Sequence, residues 1–193
     1  MLPEESDIKV LRNYFVSKIT KYLNNPILTS NEYIHLCKLT YVRILTLNAR
    51  RGGEPGKLTL PDWDMVEKGR WKCQTADINA LDNPIEKSLL NDSNYVTLKA
   101  KKKRRGSTVK ALVPIIFTEE VVDAVRLLIS SRHYANISQK HNFVFVCGTG
   151  CLKLRGWDAL QSITKKPYLS KPKLITPTRT RKYLSTILQL LDE

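Results

Sequence analysis

The chain has 193 residues, 42% of them hydrophobic, which is enough to bury the core of one ordinary domain and excludes wholesale disorder. No apolar run approaches the roughly 18 residues of a membrane span, and the N-terminus MLPEESDIKV is acidic and polar, so neither a transmembrane anchor nor a secretory signal peptide is expected. Lys and Arg number 32 against 18 Asp and Glu, a net charge of +14, which points to a polyanionic partner, nucleic acid before an anionic membrane surface.

The first element expected is an amphipathic helix from Asp7 to Asn24. Val10, Leu11, Tyr14, Phe15, Ile19 and Leu23 recur at spacings of three and four, behind an acidic Glu4–Asp7 run that suits a helix N-terminus. Asn25 and Pro26 stop it. Thr29, Ser30 and Asn31 offer caps for a second helix from Glu32 to about Asn48, apolar enough to be largely buried. The tract Arg50-Arg51-Gly52-Gly53-Glu54-Pro55-Gly56 breaks that pattern, and Leu58, Leu60 and Trp63 resume it.

Residues 64–92 are polar, with a short helix expected from Pro84 to Leu90. Tyr95 to Leu98 and Val109 to Phe117 read as two strands of a hairpin whose tip is the basic tract Lys99-Ala100-Lys101-Lys102-Lys103-Arg104-Arg105-Gly106-Ser107. Thr118 followed by Glu119 and Glu120 opens a further helix. Asn142 to Cys147 is a dense apolar segment, and Gly156 to Ile163 a short helix. A Pro- and Lys-rich loop then leads to a last helix from Thr178 to Leu191. The reading is one domain over residues 1–193, mainly α-helical with a small antiparallel sheet.

Two tracts carry chemistry. In the first, a buried helix runs into Arg50, Arg51 and two glycines, and Glu54 follows Arg51 by three residues, close enough on a helical turn to orient its guanidinium. A fixed guanidinium offers a planar fork to two phosphate oxygens; the same residues also make a plain surface ion pair beside a glycine turn. In the second, Thr178-Arg179-Thr180-Arg181-Lys182 opens the last helix, where an arginine adds charge to amides that already point at an anion; the alternative is a solvated basic face.

Together these tracts resemble the catalytic domain of tyrosine recombinases, the phage-integrase-like enzymes that break and rejoin DNA. The resemblance extends to integrase-like proteins of animal genomes through Arg51-Gly52-Gly53-Glu54, Arg155-Gly156-Trp157-Asp158-Ala159-Leu160 and Thr178-Arg179-Thr180-Arg181-Lys182, and it covers about residues 7–193. It implies that Arg51 and Arg181 hold the scissile phosphate, with Glu54 as the acidic partner of Arg51 and Asp62 closing the first box. It also implies a general-acid lysine on the hairpin, ahead of Val113-Pro114. Lys101 is the choice, with Lys102 and Lys103 as rivals. Arg50, Lys99, Lys102, Lys103, Arg104, Arg105, Arg179 and Lys182 are then contacts to double-stranded DNA. No metal or cofactor is implied, since the arginines do the charge work, and a homo-oligomer on DNA is conceivable for a full-length protein.

Two departures matter. Thr178 stands where the family has His or Lys. The family also continues past its second box to a Gly-His motif, a His or Trp and the nucleophilic tyrosine, whereas this sequence stops at Glu193 and has no separate N-terminal clamping domain. The resemblance therefore predicts a fragment or a decayed copy, and the rival reading is a co-opted, non-catalytic DNA-binding module. Tyr183, two residues after Arg181, points away from it on a helix and is expected to pack rather than attack.

Other motifs are weaker. Cys147 and Cys151 lack a second pair for zinc, and the four cysteines are too irregular for a disulfide framework, which suggests an intracellular, reducing setting. Lys101–Arg105 reads equally as a nuclear import signal or as a solvated hairpin tip.

Overall fold

The computed structural model describes residues 1–48, 53–68, 95–99, 112–146 and 154–191. In that part of the chain, helix α1 spans Glu5–Leu23 and α2 Ser30–Leu47. A 3-10 turn at Pro55–Lys57 leads to α3, Leu60–Glu67. Strands β1 (Tyr95–Lys99) and β2 (Leu112–Ile116) are followed by α4 (Glu119–Ser130) and α5 (Gly156–Thr164). A second 3-10 turn, Pro172–Leu174, precedes α6, Pro177–Leu191. The described chain is thus mostly helical, with one antiparallel strand pair in which Tyr95 lies opposite Ile116 and Lys99 opposite Leu112. None of the described helices is long and apolar enough to cross a membrane.

The organising element is α2. Tyr33, Leu36, Cys37, Leu39, Tyr41, Val42 and Ile44 are all buried, so the helix is covered on every side. Helices α1, α4, α5 and α6 pack around it. Its start is a capping box. The Thr29 hydroxyl accepts from the Glu32 amide, and the Glu32 carboxylate accepts from the Thr29 amide. Against this hub α1 sets Leu11, Phe15 and Ile19, one residue per turn, each buried. Tyr41 meets Phe145 edge-to-face at 5.3 Å between ring centroids, and Trp63 meets Phe117 in the same way at 5.7 Å.

The structure refines several expectations. Where Leu58, Leu60 and Trp63 resume the apolar pattern, the structure has the bounded helix α3, and Thr59-Leu60-Pro61-Asp62 carries both signals for its start. Pro61 sits in the first turn, and Thr59 and Asp62 form a reciprocal capping box. Thr118 holds the N-cap position of α4 as expected, but its hydroxyl accepts no helix amide; backbone bonds from Val121 and Val122 to the Thr118 carbonyl begin the helix. The apolar segment near residue 143 is neither helix nor long strand. It forms a short antiparallel bridge to the chain beside Thr59, with the Leu60 amide bonded to the Asn142 carbonyl and the Val144 amide to the Leu58 carbonyl. The short helix expected from Pro84 to Leu90 lies outside the described residues.

Candidate functional site

The end of α2 is fixed by Asn48. Its side-chain oxygen accepts from the Ile116 amide at 2.6 Å, and its amide group donates to the carbonyls of Ile116 at 2.9 Å and Ile44 at 3.0 Å. One short side chain thus ties the last turn of α2 to the end of β2. Arg50, Arg51, Lys101, Lys102, Lys103, Arg104 and Arg105 lie outside the described residues, as do Cys147 and Cys151. Lys99 is described as backbone, the last residue of β1.

Glu54 is partly exposed and has αR backbone geometry at the entry to the 3-10 turn. Beneath that turn the Tyr41 ring is fully buried, and its hydroxyl meets the Gly56 backbone. Burial pushes the Tyr41 pKa up to about 12, so it stays a neutral phenol and supports the turn without charge. Asp62, the acid that closes the first box, is the capping residue of α3. Its carboxylate accepts from the Thr59 amide at 3.2 Å and from the Thr59 hydroxyl at 2.6 Å, a structural task that accounts for an acid there.

Helix α6 brings the second tract to the same end of α2. The Thr176 hydroxyl accepts from the Arg179 amide at 3.2 Å, and the Thr176 carbonyl from the Thr180 amide at 2.9 Å. Thr178, Arg181 and Lys182 are exposed. Arg179 is partly buried and donates to the Lys173 carbonyl at 3.1 Å, so it holds the preceding loop as well as presenting charge. Tyr183 is partly buried and close enough to Lys9 on α1 to act on its charge. Its ring therefore faces α1, while Arg181 is exposed to solvent.

Between α1, the end of α2 and the start of α6 lies a cavity of about 340 Å³. Arg12, Arg43, Thr46, Leu47, Thr180 and Tyr183 contribute to its wall. The Thr180 residue is 3% exposed, and its hydroxyl has no hydrogen-bond partner among the described residues. Leu47, just before Asn48, and Thr180, just before Arg181, both line this cavity.

Arg43 is the residue that the sequence reading missed. It is buried in the middle of α2, and its guanidinium reaches one oxygen of Glu120 at the start of α4, with Nη2 at 3.1 Å and Nε at 3.3 Å. Burial alone would raise the Glu120 pKa. Hydrogen bonds to the carboxylate, those of Arg43 among them, outweigh burial and hold it below the usual carboxylate value. The signal was present in the sequence: an arginine inside the apolar run Leu39–Leu47 needs an acid, and Glu120 opens a helix behind a threonine. Among the described residues, no group of three or more His, Cys, Asp and Glu side chains is arranged to hold a metal ion.

No protein-family model, no curated protein and no solved structure matches this chain.

Proposed function

We propose that the chain is a DNA-binding core of the tyrosine-recombinase kind, in which Arg51 and Arg181 grip one phosphate of a duplex. The carrying observation is that Leu47 and Thr180 line one cavity: α2, which precedes Arg51 in sequence, ends where α6, which bears Arg181, begins. The order of the two boxes, the Lys101 tract after β1 and the net charge of +14 support the same reading.

In this reading, where the family's third-box tyrosine is supplied, its oxygen bonds to phosphorus as the 5′ oxygen leaves, and the two guanidiniums stabilise the extra charge on the pentacoordinate phosphate. A hairpin lysine, Lys101 or its neighbours Lys102 and Lys103, protonates the departing 5′ oxygen. Glu54 orients Arg51, while Arg50, Lys99, Arg104, Arg105, Arg179 and Lys182 contact the backbone. The Lys101–Arg105 tract also fits import into a nucleus. Tyr183 is not the nucleophile, because it faces α1.

A DNA-binding module without chemistry is the second reading, and Thr178 favours it. Its exposed hydroxyl cannot move a proton near neutral pH as a His or Lys can. A nicked duplex substrate separates the two readings. These 193 residues alone should give no covalent protein–DNA band on a denaturing gel, because no nucleophile is assigned among them; a band that appears once a C-terminal segment bearing the family's tyrosine is added belongs to the first reading, and binding without a band in either form belongs to the second.

Both readings require phosphate-dominated binding, and a salt titration of duplex affinity tests it. The expected log–log slope is about −0.9 for each phosphate neutralised. A flat slope, or no binding at low salt, overturns both.

A further inference from the structure

At the other end of α2, about 20 Å from Asn48 at 1.5 Å per residue, stands His35. Its ring is partly buried. The Nδ1 atom lies 2.8 Å from the Tyr22 hydroxyl on α1, and Nε2 lies 3.1 Å from Lys166 Nζ, just past α5. An ammonium only donates, so Nε2 is the acceptor, and Nδ1 carries the proton and donates to the Tyr22 oxygen. Burial first, then the charges of Lys166, Lys18 and Lys38, lower the His35 pKa to about 4.

The lysines come from three parts of the fold: Lys18 from α1, Lys38 from α2 and Lys166 from the loop after α5. None of them forms an ion pair with a carboxylate among the described residues. The nearby acid is Glu32, which acts on Tyr22, and its carboxylate already accepts the Thr29 amide and hydroxyl. Three cations therefore press on one imidazole, and none of the three is paired with a carboxylate among the described residues.

We propose that Lys18, Lys38, Lys166 and His35 form a phosphate-binding site, separate from the Arg181 region, that takes the oxyanion of a phosphate ester. The proposal does not rest on the recombinase reading, and either can fail alone. The lysines act as point charges toward the anion. When the anion enters, Lys166 turns to it, and Nε2 takes a proton from solvent and becomes a further donor. Binding thus takes up a proton at His35.

The test is an NMR titration of the three histidine rings in the 193-residue chain, with His35 assigned through His35→Gln. Inorganic phosphate should raise the His35 midpoint by about one pH unit or more. Sodium chloride at equal ionic strength should not, and His133 and His141 should stay where they are. Replacing Lys18 and Lys166 together by Gln should raise the midpoint of the free protein and abolish the response to phosphate. A short duplex forms the second arm. A shift with duplex but not with phosphate assigns the site to a nucleic-acid backbone; a shift with phosphate alone assigns it to a free phosphate ester. The proposal is overturned if neither moves His35, or if chloride moves it equally.

Discussion

Replacing Asp7 with alanine is expected to destabilise the protein by about 3–5 kcal/mol, read by urea or thermal unfolding. Asp7 lies in the first turn of α1 but is only 2% exposed. One carboxylate oxygen accepts from the Ser170 amide at 2.7 Å, the other from the Lys171 amide at 2.9 Å. Hydrogen bonds to a charged acceptor contribute about 1.5–3 kcal/mol each, and alanine leaves both amides without it. Asp7→Asn is expected to cost nearly as much, because one of its two positions then presents an N–H to an N–H. Ser170 and Lys171 lead directly into the second 3-10 turn and α6, so this residue also sets the approach of the helix that bears Arg181. A loss below about 1 kcal/mol, the range of an ordinary surface substitution, would contradict the assignment.

Arg43→Ala is the second large effect, about 2–4 kcal/mol, or a fall in Tm of roughly 5–15 °C for a chain of this size. The full cost of breaking a buried pair does not apply, since the Glu120 side chain keeps 22% of its surface exposed and regains some hydration. Glu120→Gln should cost less than Arg43→Ala, because the amide oxygen still accepts from the guanidinium. The reverse order would show that the acid, rather than the arginine, is the group that needs compensation.

Periodicity revealed what depends on neighbours in the chain. Leu11, Phe15 and Ile19 announced α1, and the all-round apolar pattern of α2 announced its burial. The bounds moved by a turn or less. Helix α1 begins at Glu5 instead of Asp7, and α6 at Pro177 instead of Thr178, where a proline at the first position is itself a start signal. Contacts between distant residues could not be read this way. In sequence Asp7 reads as an acid facing its own helix terminus, yet its partners lie at residues 170 and 171. Asn48 read as the end of a helix, whereas its side chain completes the edge of β2.

For the site, the sequence supplied residue types and order. The fold supplies the proximity of the α2 end to the α6 start. Thr180, which the sequence marked only as part of a basic box, is a buried residue of the cavity that lies between those two helix ends.

The most direct measurement of the central claim is a double-mutant cycle on duplex affinity at fixed low salt, with Arg51→Ala, Arg181→Ala and the pair. If both guanidiniums hold one phosphate, each single substitution weakens binding about tenfold. The double variant then loses clearly less than the sum, with a coupling energy of about 0.5–3 kcal/mol. Two losses that add within about 0.3–0.5 kcal/mol, as for residues more than 7–10 Å apart, would contradict a shared phosphate and the recombinase-like account with it.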